Sequence, residues 1–161
     1  MQIYRFLFPK KLQLMNLSII FVGILGFLFM NESVGELTRE RNEELTDVFL
    51  RLLGDGRLAR DVISSAVSSP SSRFWITERN ALRYVKMRLD GRWGNTGTEH
   101  PLVVQRTDII IERCNGDYSL AKVREVVESP APCFFLGERT ASNIIYETMK
   151  RRKERKRCRK I

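Results

Sequence analysis

The chain has 161 residues, 43% hydrophobic and 29% charged, with a net charge of +9; that length buries one ordinary core or two very small ones, and the composition excludes a disordered chain. The charge is not spread evenly: residues 1–29 carry Arg5, Lys10 and Lys11 and no acid, residues 150–161 carry nine Lys or Arg against Glu154, and the stretch between sums to −2. A uniformly basic body is therefore excluded, and the basic character is a terminal device.

From Leu12 to Asn31 there is no charged residue, and LMNLSIIFVGILGFLFM follows Lys10 and Lys11. Such a run is long and apolar enough for a marginal membrane span, and the positive-inside rule keeps the N-terminus cytoplasmic. No A-x-A-like cleavage site follows it, only FMNESVG, which disfavours a cleaved signal. Met30 opens a second plausible start, MNESVGELTRERNEELTDVFLRLL. Two localisations are expected accordingly: single-pass membrane if residues 1–29 are translated, cytoplasmic if translation begins at Met30. The expected organisation is a hydrophobic segment over 1–31, a helical body over 32–149 and a basic tail over 150–161.

In the body, Leu45, Val48, Phe49, Leu52 and Leu53 recur at helical spacing, with Arg41, Glu43, Glu44, Asp47 and Arg51 on the other faces. This predicts an amphipathic helix ended by Gly54-Asp55-Gly56. Leu58, Val62, Ile63, Ala66 and Val67 predict a second helix that stops before Pro70. Arg73-Phe74-Trp75-Ile76 predicts an extended stretch pinned into the core by its rings. Thr77 is placed to cap a third helix, with Glu78 in a first turn where the helix dipole favours a carboxylate and Arg79 as the neighbour expected to bond the preceding loop. GRWGNTGTEHP, residues 91–101, is glycine-rich and predicts a linker that includes His100 as a solvated residue.

The order then repeats. Ser69, Pro70, Phe74, Glu78, Arg79 and Ala81 return sixty positions later as Ser129, Pro130, Phe134, Glu138, Arg139 and Ala141, six matches in about thirteen ungapped columns, which indicates a duplicated unit. TDIIIER echoes TDVFLRL, Asn115-Gly116-Asp117 replaces the glycine turn, and Leu120, Val123, Val126 and Val127 supply a second apolar stripe. Phe134, Phe135 and Leu136 take the place of the aromatic segment. Val103, Val104 and Ile109 to Ile111 would read as a strand on β-branched propensity alone. The correspondence with the first unit predicts a helix there instead. The expected fold is mainly α: two related three-helix units of about 60 residues, 39–90 and 101–149, packed as one domain behind a hydrophobic N-terminal helix, with Phe74 and Phe134 each closing the space between the second and third helices of its own unit.

The segments RFWITERNA and ESPAPCFFL, preceded by SVGELTRER, resemble small uncharacterised basic proteins of bacterial mobile elements and prophages over about residues 30–150. That resemblance implies no activity. It departs from the pattern at Gly137, where a serine or threonine is usual before the third helix.

No catalytic, cofactor or metal site is expected. Glu78-Arg79 and Glu138-Arg139 are charged pairs present twice, and capping explains them without a partnered base or metal. Ser69 and Ser129 precede prolines and lack nucleophile-elbow surroundings, and no phosphate-binding glycine loop occurs. Cys114, Cys133 and Cys158 are odd in number and widely spaced, which supports free thiols and neither a zinc site nor a disulfide framework. The connection between second and third helices, about eight residues, is too long for a helix-turn-helix. Trp75 and Phe135 would stack on bases only if exposed. What stands out is the tail: Lys150, Arg151, Arg152, Lys153, Arg155, Lys156, Arg157, Arg159 and Lys160 suit phosphate neutralisation without base specificity. The expected partners are nucleic acid or an anionic membrane surface, with a protein partner left open and no small-molecule substrate. The function expected is that of a non-enzymatic binding protein whose tail docks on nucleic acid; the alternative is a single-pass membrane protein with a helical interaction module.

Overall fold

A computed structural model describes residues 35–54, 58–93 and 100–158. The apolar periodicities above become helices: α1 over 35–53, α2 Ala59–Ser68, α3 Glu78–Leu89, α4 Pro101–Cys114, α5 Leu120–Glu128 and α6 Glu138–Cys158. Among the described residues there is no strand, only one isolated antiparallel bridge between Ser71 and Ala131. The fold is mainly α. The expected membrane span lies outside the described residues, among which no helix is long and apolar enough to cross a membrane.

Local chemistry explains the helix ends. The Thr77 hydroxyl accepts the Asn80 N–H, and the Ser119 hydroxyl accepts the Lys122 N–H, each satisfying a first-turn donor. His100 is exposed, as expected of a solvated linker residue, and also caps α4 by accepting the Leu102 N–H on its Nδ1, with Pro101 opening the helix. Asn115 ends α4 in the left-handed conformation, φ 49°, and Gly116 follows at φ 85°, the positive-φ pair that this turn needs. Of the linker's described residues, Trp93 is buried and stacks on Tyr84 of α3 at 5.2 Å. Leu58 and Leu120 leave their predicted stripes: each sits at a helix start, where Leu58 is 75% exposed and Leu120 41%.

From Leu37 onward the described residues form one compact unit. Within 37–161 the core has two clusters. Leu45, Val48 and Phe49 of α1, Val62 and Ala66 of α2, and Ala141 and Ile145 of α6 enclose Phe134. Ala81 and Val85 of α3, Ile110 and Cys114 of α4, and Val123, Val126 and Val127 of α5 enclose Phe74, with Ile76, Ala131 and Phe135.

These clusters correct one expectation. Phe74 and Phe134 are both buried, at 0% and 3% exposure, but neither packs on the second helix of its own sixty-residue segment. Each lies between its own third helix and the other segment's second helix. The cause is visible in the backbone. Ser71 and Ala131 exchange N–H···O bonds at 3.0 Å, the Phe74 N–H donates to Val127 O at 2.9 Å, and the Phe134 N–H donates to Val67 O at 3.1 Å. Adding sixty to one partner set gives the other, so a local two-fold axis passes through the bridge. The two connections cross there, side by side, and carry α3 to α4 and α5 and α6 to α2. The eight-residue connection is long enough to reach across, and the crossing satisfies backbone groups that burial would otherwise leave unpaired.

The same motif acid holds the third helix in both places. Asp108, in the repeated Thr-Asp pair, takes the Arg88 guanidinium of α3 at 2.8 and 3.2 Å; Asp47, its counterpart, takes Arg152 of α6 at 2.6 Å. The threonines beside them, Thr46 and Thr107, are buried and donate to the carbonyls four residues back.

Candidate nucleic-acid interface

The basic tail is not a separate segment: it is the second half of α6, a helix of 21 residues, about 31 Å long at 1.5 Å per residue. Its inward face follows the helical period. Ala141, Ile145 and Thr148 are buried, and the next residue on that face is Arg152. Beyond Thr148, Arg152 is the one described residue that is half-buried rather than exposed. Its Nε donates to the Glu43 carboxylate at 2.6 Å, one terminal nitrogen to Asp47 at 2.6 Å and the other to the Glu43 carbonyl at 3.3 Å. Asp47 first and Glu43 second hold its pKa above the ordinary arginine value against partial desolvation. Arg152 is thus the pin that ties the arm to α1, and it does not belong with the cations that face water.

Lys150, Arg151, Lys153, Arg155, Lys156 and Arg157 are exposed, while Arg159 and Lys160 lie outside the described residues. One outward stripe runs the whole helix at alternating spacings of four and three: Arg139, Asn143, Tyr146, Lys150, Lys153 and Arg157, all exposed. The stripe holds no acid, since Glu147 and Glu154 are seven apart and lie on a neighbouring face. Tyr146, 68% exposed, presents an aromatic face in line with the cations. Cations in such a line are able to neutralise phosphates along a backbone, a contact whose affinity comes from counterion release rather than from base edges.

The remaining residues of the repeat are placed around the crossing. Pro70 and Pro130 are exposed immediately after the C-caps Ser69 and Ser129, whose hydroxyls donate to Ser65 O and Val126 O. Glu78 is held by Arg124 of α5 in a bidentate pair at 2.6 and 2.7 Å, which lowers its carboxyl pKa. Glu138 is exposed, and Ser64 stands where the first segment would need the matching arginine, so the two acids are not equivalent. Arg79 and Arg139 are both exposed. The loop of the second segment is bonded by Arg113 of α4, which donates to Pro130 O at 2.6 Å and Ser129 Oγ at 3.2 Å with its guanidinium 5.1 Å from the Phe74 ring.

Of the two aromatics weighed as stacking platforms, Phe135 is buried and stacks on Phe74 at 5.9 Å. Its φ of 52°, rare for a bulky residue, turns the ring inward. Trp75 is half-buried with the Arg73 guanidinium 5.9 Å above its ring. Among the described residues Tyr146 is the exposed aromatic, and sequence reading passed over it; its signal was a tyrosine at the start of a cationic run at helical spacing. Cys114 is buried and desolvation pushes its thiol pKa up, while Cys133 is half-buried and Cys158 exposed. Among the described residues no group of three His, Cys, Asp or Glu is placed to hold a metal. The chain matches no protein-family model, no curated protein and no solved structure.

Proposed function

We propose that this is a non-enzymatic nucleic-acid-binding protein in which the outer half of α6 docks on the phosphate backbone. One observation carries the reading: Lys150, Arg151, Lys153, Arg155, Lys156 and Arg157 are all exposed on a helix that Arg152 pins to α1. A flexible tail would lose conformational freedom on binding; a helix held in register loses less. The scaffold behind it is two copies of one three-helix unit that exchange their third helices at the Ser71–Ala131 bridge. The reading is tested on the full chain with Lys150, Lys153, Arg155, Lys156 and Arg157 changed to alanine and Arg152 kept. Five lost phosphate contacts should reduce the slope of log K against log salt on a duplex by about 4.5, at about 0.9 per contact. An unchanged slope rejects the proposal.

A second reading rests on the uncharged run from Leu12 to Asn31: a single-pass membrane protein whose helical body is an interaction module, with the arm on the anionic leaflet. Alkaline carbonate extraction of membranes from cells at native expression separates the two. A product wholly in the soluble fraction, with an intact mass beginning at Met30, removes the membrane reading.

A further inference from the structure

The body sums to −2 yet its charges are segregated. One groove, on α1, is lined by Glu40, Glu43, Glu44 and Asp47 with Arg39 and Arg51. A second, of about 690 Å³, runs along α3 and is lined by Arg79, Leu82, Arg83, Lys86, Met87, Arg92 and Leu120. The second contains four cations and no acid. Arg79, Arg83 and Lys86 follow one another at spacings of four and three, the same outward face of the third helix that carries Arg139, Asn143 and Tyr146 in α6, sixty residues on. Glu78 is paired with Arg124, and Asp90 with the groove's own Arg92. Its apolar lining is Leu82 and Met87, both half-buried, and Leu120, 41% exposed.

We propose that this groove is a second binding surface, specific to single-stranded nucleic acid, in which Arg83 and Lys86 take adjacent phosphates while Leu82, Met87 and Leu120 cover the faces of unstacked bases and sugars. The apolar lining decides for a single strand. A duplex offers a protein surface phosphates and sugars while its base faces stay stacked inside, so an apolar lining beside the cations gains nothing from it; a single strand presents base faces that an apolar surface desolvates. An acidic amphipathic peptide would also meet cations and an apolar lining, and competition by poly-glutamate separates the two.

The inference rests on the nucleic-acid reading of the arm for its ligand class, and its test is built to fail separately. The full chain and two variants, Arg83→Ala/Lys86→Ala and Leu120→Ala, are titrated over a salt series with a labelled thymidine 20-mer and with a 20-base-pair duplex. Poly-glutamate of matched charge serves as competitor. The five-alanine arm variant is run in parallel, and circular dichroism melts check folding. Loss of two single-strand phosphate contacts should lower the salt slope by about 1.4, which at 0.1 M salt is about a 25-fold loss of affinity for the 20-mer. Leu120→Ala should weaken the 20-mer several-fold with the slope unchanged, because it removes apolar contact and no charge. The duplex should be bound by both variants within about twofold of the parent. Equal losses on duplex and 20-mer, or no loss on either, overturn the groove while leaving the arm standing. Groove-dependent binding of poly-glutamate as tight as that of the 20-mer assigns the groove to an acidic peptide and overturns the proposal as well. A defect in the arm variant's binding with the groove variant unaffected supports the arm alone, and the reverse pattern rejects the arm and keeps the groove.

Discussion

Truncating Phe74 to alanine tests the crossed architecture where it is most vulnerable. The ring is fully buried among α3, α4 and α5, stacked on Phe135 and under the Arg113 guanidinium. Removing it forfeits about 2.5 kcal/mol of burial and leaves a cavity of about 60 Å³ after partial collapse, worth about 1.5 kcal/mol at about 24 cal/mol per Å³. The stack with Phe135 adds about 0.5–1.5 kcal/mol. Phe74→Ala should therefore destabilise by about 4.5–5.5 kcal/mol, a large share of a typical 5–15 kcal/mol, and lower Tm by about 18–22 °C at about 4 °C per kcal/mol for a body of this size. Phe134 has no such stack, so Phe134→Ala should be milder by about 1 kcal/mol. Urea melts give the magnitudes and native-state hydrogen exchange gives the location. The crossing predicts that Phe74→Ala strips protection from α3, α4 and α5, and Phe134→Ala from α1, α2 and α6. Loss of protection in α1 and α2 for Phe74→Ala with α5 unaffected, or a destabilisation below about 1 kcal/mol, refutes the reasoning.

Three further outcomes follow from named contacts. Arg152→Ala should release the arm, raising amide exchange over residues 149–158 with little change in α5; Arg152→Lys should not restore protection, since one ammonium cannot reach both Glu43 and Asp47 in the geometry of the guanidinium fork. Because Arg124 lowers the folded-state pKa of Glu78 below the ordinary 4.5, the pair stabilises above that pH, and its contribution is lost as pH falls through the depressed value. Glu78→Gln should accordingly lower the urea midpoint at neutral pH and flatten the acid limb below about pH 4.5, and an acid limb of unchanged steepness contradicts the pairing. In native protein, iodoacetamide should label Cys158 and leave the buried, desolvated Cys114 intact until denaturant is added; prompt labelling of Cys114 would show that the α4–α5 contact is open.

Much of the fold was legible because burial and period coincide. The stripes at Leu45, Val48 and Phe49 and at Val123, Val126 and Val127 are buried in the helices they predict, and the repeat placed a helix over Val103 to Ile111 where propensity favoured a strand. What sequence reading lacked was partnership at a distance. Nothing local says that α3 leaves α2 for α5, because the two alternatives bury the same side chains; the choice is made by bonds such as Phe74 N–H to Val127 O, across residues 53 apart in the chain. Arg152 illustrates the same limit within the candidate interface. As a letter it is one of nine cations in the tail, and only its position one turn beyond Thr148, facing Glu43 and Asp47, separates the pin from the surface charges. The echo of TDVFLRL in TDIIIER carried a recoverable hint, since the acid of each Thr-Asp pair binds an arginine of a third helix. The α3 groove was invisible in a body of net charge −2, because its charge comes from placement rather than composition.

The measurement that bears most directly on the central claim is the salt dependence of duplex binding by the full chain and by its five-alanine arm variant, with Arg152 intact in both. The account predicts a steep linear fall of log K with log salt for the parent, and a slope shallower by about 4.5 for the variant with its melting temperature unchanged. Equal slopes in the two proteins would contradict the assignment of nucleic-acid docking to the outer half of α6.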